Sequence, residues 1–81
     1  MTPEYKSKYY GPPNIALQQL RGSRNLSQME LGEKLGYTRQ YIARIECGIS
    51  EGKKAFWLDV QTFFNIPDNL MWKIYKGEAL S

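Results

Sequence analysis

Between Ser27 and Gly48 the sequence marks two helix starts and two helix stops, and this punctuation constrains the fold more than any other feature. Ser27-Gln28-Met29-Glu30 is a capping box, in which the serine oxygen accepts from the Glu30 amide and the glutamate returns the bond. The helix that starts there carries Met29, Leu31 and Leu35 as its apolar residues and meets Gly36, a natural left-handed stop, about two turns later. Thr38 is the next N-cap, so the connection is Gly36-Tyr37-Thr38. A further helix is predicted from Arg39 to about Cys47, closed by Gly48.

The flanking sequence predicts three more helices around this pair. Residues 1–12 read as a polar, tyrosine-rich arm (Tyr5, Tyr9, Tyr10) ending at Gly11-Pro12-Pro13, which cannot continue a helix. From Pro13, a residue suited to a first helical turn, Ala16, Leu17, Leu20 and Arg24 recur at helical spacing until Asn25, a left-handed stop that lets Leu26 fold back. After a loop from Ile49 to Lys54, Phe56, Trp57, Val60, Phe63 and Phe64 fall on one stripe ending at Asn65. Pro67 and Asp68 open a fifth helix with Leu70, Met71 and Ile74 turned inward and Trp72 and Tyr75 beside them. Residues 13–76 are thus expected to form one all-α domain, with 77–81 as a tail.

Two short capped helices joined by three residues are the sequence mark of a helix-turn-helix. On the second of them Ile42 and Ile45 share an apolar face, while Gln40, Ala43, Arg44 and Cys47 share the opposite one. A long amide, a methyl and a guanidinium are the groups that read adenine, thymine and guanine edges in the major groove. Arg39, in the first turn, stands where recognition helices reach deepest. Gly32 is out of place in a helix interior, where glycine costs about 1 kcal/mol against alanine, and close approach of the third helix would explain it.

In the stretch LSQMELGEKLGYTRQYIARIECG, the Leu-Ser-Gln opening, Glu30-Leu31, small Gly32, Leu35-Gly36, Thr38, Ile42 and Ile45-Glu46-x-Gly48 resemble the lambda-repressor-like family, the Cro/cI or XRE class of bacterial and phage regulators. The resemblance runs from about Pro13 to Tyr75. It implies a compact five-helix bundle with the helix-turn-helix at helices two and three, binding a double-stranded DNA operator as a homodimer. Carried over by position, it makes Arg39, Gln40, Ala43 and Arg44 base contacts. Gln28, Thr38, Tyr41, Lys53 and Lys54 become phosphate or capping contacts. Arg21 and Glu46 match a partly buried ion pair linking helix one to helix three. Tyr37 departs from the small aliphatic residue usual in the turn, Gly32 stands where alanine is common, and the loop after Gly48 is a residue longer than in compact members. The arm has no counterpart in the minimal fold, and minor-groove contact, dimer contact or no role all remain open for it.

Composition narrows the function classes. The 81 residues carry eleven basic and eight acidic side chains for a net +3, a balance that favours a polyanionic partner. There is no histidine and only one cysteine, Cys47, which removes the usual zinc sites, histidine acid–base chemistry and an internal disulfide. Glu30, Glu33, Glu46 and Glu51 read as cap, solvent-facing, ion-paired and loop residues rather than a catalytic pair. No enzyme activity, metal or cofactor is therefore expected. The unpaired cysteine and the lack of an apolar leader or membrane span fit a cytoplasmic protein without membrane contact. The reading is a sequence-specific DNA-binding transcriptional regulator, a repressor on a palindromic operator. The alternatives are a restriction-modification controller, or an antitoxin or anti-repressor gripping a protein through Trp57, Phe63, Phe64, Trp72 and Tyr75.

Overall fold

The computed structural model describes residues 11–80. Its elements are five helices, α1 Ile15–Ser23, α2 Gln28–Leu35, α3 Arg39–Cys47, α4 Lys54–Phe64 and α5 Asp68–Lys76. They enclose one core, in which Ala16 and Leu17 of α1, Leu31 of α2, Ile42 and Ile45 of α3, Phe56 and Val60 of α4 and Ile74 of α5 are all at most 1% exposed. The sequence expectation of an all-α five-helix bundle therefore holds.

The punctuation works by local backbone chemistry. At the end of α1 the Leu26 amide donates to the Arg21 carbonyl and the Asn25 amide to that of Gly22, with Asn25 left-handed at φ 57°. Both bonds of the Ser27–Glu30 capping box form, at 3.0 and 2.8 Å. Gly36 and Gly48 close α2 and α3 at φ 87° and 85°, and the Thr38 hydroxyl accepts from the Tyr41 amide to open α3.

Gly32 is explained by the turn rather than by α3 itself. A Cβ there would lie 2.5 Å from the Tyr37 carbonyl oxygen. Backbone-to-backbone contact of this kind cannot be relieved by a rotamer change, so the missing side chain lets the turn lie flat on α2.

One apolar expectation fails, that Leu70 turns inward, and two apolar residues whose burial the sequence left open, Met29 and Trp72, are exposed. Met29 is 55% exposed, because the α2 stripe that meets the core runs through Leu31 with Leu35 packed at its edge. On α5 only Ile74 is buried, Met71 is half-buried, and Leu70 and Trp72 face outward. A nine-residue helix laid along the rim of the bundle buries one narrow face, so its second row of apolar residues has nothing above it. Pro13 also lies two residues before the helix it was expected to begin, one place ahead of the N-cap Asn14.

The cap of α1 is Asn14, a residue the sequence reading passed over, and it ties three helices together. Its side-chain oxygen accepts from the Leu17 amide at 2.8 Å and its side-chain nitrogen donates to the Ile74 carbonyl at 3.1 Å. Its backbone amide donates to the Glu46 carbonyl at 2.9 Å. The side chain is buried, so water cannot replace these partners. Asn14→Ala is expected to cost about 2–3 kcal/mol, about 1 for the cap and the rest for the abandoned Ile74 carbonyl. Asn14→Ser, which keeps only the cap acceptor, should recover about 1 kcal/mol of it in urea unfolding. Equal stability of Asn14→Ala and the parent would remove the tie from the account.

Candidate nucleic-acid interface

The outward face of α3 is set by what its inward face must do. Ile42 and Ile45 are drawn into the core, and a helix that buries these two turns Arg39, Gln40, Arg44 and Cys47 to solvent, with Ala43 half-buried between them. A methyl level with two long polar side chains is a surface that can be pressed against base edges. Thr38 stands exposed at the start of the helix, its hydroxyl spent on the cap.

Glu46 holds this helix in place. Arg21 Nε donates to Glu46 Oε2 at 2.7 Å and Nη2 to Oε1 at 3.0 Å, a two-pronged pair. The Glu46 side chain is 3% exposed and that of Arg21 22%. Arg21 Nη1 also donates to the Leu26 carbonyl, and Gln18 Nε2 donates to the backbone carbonyl of Glu46. The hydrogen bond that Arg21 donates to Glu46, set against partial burial and reinforced by the Glu46 charge, raises the Arg21 guanidinium above its already high ordinary value. The expected ion pair is therefore present and joins α1 to α3.

Gln28 takes a third place on the same carboxylate, its Nε2 donating to Glu46 Oε1 at 3.0 Å. Sequence reading placed it at a DNA phosphate and did not anticipate this bond. A primary amide carries two donor hydrogens, so a bond to Glu46 leaves one free. Half-buried at the first residue of α2, Gln28 sits beside helix-end amides.

Tyr41 connects α3 to the start of α4. Its hydroxyl accepts from the Lys53 amide at 2.9 Å, and its ring stacks on Tyr37 at 5.0 Å with both rings edge-on to Phe56. Tyr37 donates to Asp59 at 3.2 Å. Partial burial, then the Asp59 hydrogen bond and charge, raise the Tyr37 phenol above its ordinary value. The turn tyrosine that departs from the family pattern thus belongs to an aromatic wedge between the turn and α4. Lys53 is the N-cap and Lys54 the first residue of α4, both exposed, and the cap has no side-chain hydrogen bond. Tyr41 brings these two lysines next to α3, a link that no local pattern displays.

Among the described residues there is no group of three histidine, cysteine, aspartate or glutamate side chains placed to hold a metal. None of the described helices is long and apolar enough to cross a membrane.

A family profile described as a helix-turn-helix domain matches residues 15–71, from the first residue of α1 into α5. No curated protein and no solved structure matches the chain. The match spans well over half of the sequence and contains the whole of the capped α2–turn–α3 unit. It points to a DNA-binding regulator. Capped helices, three-residue turn, exposed polar face and profile agree: the chain belongs to the helix-turn-helix domain family.

Proposed function

We propose that this protein is a sequence-specific transcriptional repressor that binds a two-fold symmetric operator as a homodimer, with α3 in the major groove. The observation that carries the reading is the outward face of α3, where exposed Arg39, Gln40 and Arg44 flank half-buried Ala43 on a helix anchored from behind by Glu46. In this reading Arg44 and Arg39 donate to guanine, Gln40 pairs with adenine and Ala43 packs on a thymine methyl. Thr38, Tyr41, Lys53, Lys54 and the free donor of Gln28 hold phosphates on either side and set the register. Half-sites lie about one helical turn apart, and occupancy blocks polymerase. With no cofactor in the scheme, occupancy follows protein concentration in the cytoplasm.

Selection of bound duplexes from a random library at two salt concentrations tests the reading, with a palindromic consensus as the expected result. Arg44→Ala should lose about 1–3 kcal/mol of discrimination at one base position. Lys53→Ala should weaken all sequences alike and lower the salt slope by about one. Equal loss on selected and random duplexes for Arg44→Ala would remove base reading from that residue.

A further inference from the structure

We propose that a small aromatic carboxylate binds in the hollow between the α3–α4 loop and α5, and that its carboxylate competes with DNA for Lys54. Binding of the acid does not depend on DNA, whereas the competition rests on the placement of Lys54 at a phosphate. The hollow measures about 410 Å³ and is lined by Gly52, Lys54, Trp57, Met71, Trp72 and Tyr75. That lies within the range of pockets that hold small ligands, roughly 300–1,000 Å³, and such pockets combine apolar walls with a few polar groups.

Its walls are shaped for a flat apolar ring. Trp57 is 6% exposed and its one polar atom is committed, since Nε1 donates to the Glu51 carbonyl at 2.8 Å, so what it offers a ligand is ring surface. Tyr75 stands edge-on to it, with ring centroids 5.8 Å apart and planes at 82°. Two rings at a right angle form a corner in which a third can stack on one and meet the edge of the other. Met71 adds a polarisable thioether, which favours aromatic neighbours. Trp72 and Tyr75 are 55% and 50% exposed, so the described residues leave about half of each uncovered.

A corner of aromatic rings by itself suits a cation, which the ring faces attract. The charges here decide against one. Lys54 is the charged residue lining the hollow, and the Lys76 ammonium already lies 5.8 Å over the Trp72 ring. Glu51, in the adjoining hollow with Lys76, offsets one of these two charges. The rim therefore stays positive. Lys54 is also the first residue of α4, whose cap has no side-chain hydrogen bond, so the positive end of that helix lies at the same rim. A ligand with a ring for the corner and a carboxylate for Lys54 satisfies both, the second by a charge-assisted hydrogen bond. A lysine paired in this way is withdrawn from DNA phosphate, and the loss falls on all sequences alike.

Nuclear magnetic resonance titration of the isotope-labelled full chain with phenylacetate, without DNA, tests the site, with 2-phenylethanol and phenyltrimethylammonium as neutral and cationic comparators. Phenylacetate should bind about tenfold more tightly than either, the effect of one charge-assisted hydrogen bond, and should shift the Gly52 amide and both indole signals. Lys54→Met, which keeps the apolar stem, should bring phenylacetate and 2-phenylethanol within about twofold of each other. Trp72→Ala, at an exposed position where the fold does not depend on the ring, should weaken both. Absence of binding overturns the site. So does equal binding of all three compounds, the behaviour of an apolar face that seats a second copy. At fixed ionic strength, saturating phenylacetate should lower the affinity for random duplex about threefold in the parent and leave Trp72→Ala unchanged. Phenylacetate held in the hollow with no change in DNA affinity overturns the competition. A parent that binds no DNA overturns the competition together with the repressor reading, while the titration still decides the site.

Discussion

Arg21→Ala is expected to destabilise the fold by about 3–5 kcal/mol, because it strands a carboxylate that the core has already taken out of water. Glu46 is 3% exposed at its side chain and has two side-chain donors besides the prongs of Arg21 to consider. Gln28 supplies one to the carboxylate itself, while Gln18 reaches only the backbone carbonyl. One neutral donor cannot replace a two-pronged guanidinium, so the loss should lie near the lower end, about 3 kcal/mol. For a domain of this length each kcal/mol moves the melting temperature by roughly 4–8 °C.

The double variant Arg21→Met/Glu46→Leu separates the cost of a stranded charge from the worth of the pair. Buried ion pairs exchanged for apolar residues of similar volume are often neutral, so it should regain most of the stability lost by Arg21→Ala. Arg21 itself adds no pH dependence to this comparison in ordinary buffers. A folded-state pKa raised above the unfolded one gives stability that is fully present below the unfolded value and lost only as pH rises through the folded one. For this guanidinium that window lies at extreme alkalinity. A loss below about 1 kcal/mol for Arg21→Ala in urea unfolding would show that Glu46 is hydrated rather than held.

Gly48→Ala is the second large effect, expected at about 3 kcal/mol from two separable sources. Gly48 closes α3 at φ 85°, where an L-residue pays about 1–2 kcal/mol. A Cβ would also meet the Pro12 carbonyl oxygen at 2.6 Å, with the Gly11 carbonyl closer still. Those atoms are backbone, so the segment at 11–12 must be pushed off the helix end, and the Gly11–Gly48 hydrogen bond goes with it. Gly36→Ala is the internal control. It has nearly the same φ, 87°, but nothing within 4 Å of the added methyl, so it should cost only the conformational share. The excess of Gly48→Ala over Gly36→Ala in chemical unfolding therefore measures how firmly residues 11–12 are docked. Equal costs at the two glycines would show that the docking contributes nothing.

Gly36 and Gly48 also show where the sequence was readable. Helix ends are decided within about four residues, by a side-chain oxygen that satisfies a free amide or by a residue that tolerates positive φ. Ser27, Thr38, Asn25 and Asn65 could therefore be read as starts and stops without knowing what lay nearby, and the structure places each in that role. The division of α3 into an inner face of Ile42 and Ile45 and an outer face of Gln40 and Arg44 is equally local, since helical period alone sets it. The Arg21–Glu46 pair was legible only through family resemblance, because the two lie far apart in the chain.

Partners contributed by other helices were beyond the sequence's reach. Periodicity shows that Met29, Leu70 and Trp72 are apolar, but not whether another element lies over them, and none of the described elements does so enough to bury them. It marks Gln28 as a polar residue at a helix start without showing that Glu46 draws its amide inward. Asn14 carries a cap signal of its own, yet its bond to Ile74, sixty positions away, exists only once α5 has closed the bundle. The sequence by itself determined the five described helices, their ends apart from the start of α1, and the face that α3 turns to solvent, because these follow from bonds and periods within a few residues. Tertiary structure alone decided which polar side chains are committed to the scaffold and where residues 11–12 dock, because those depend on surfaces that meet only after packing.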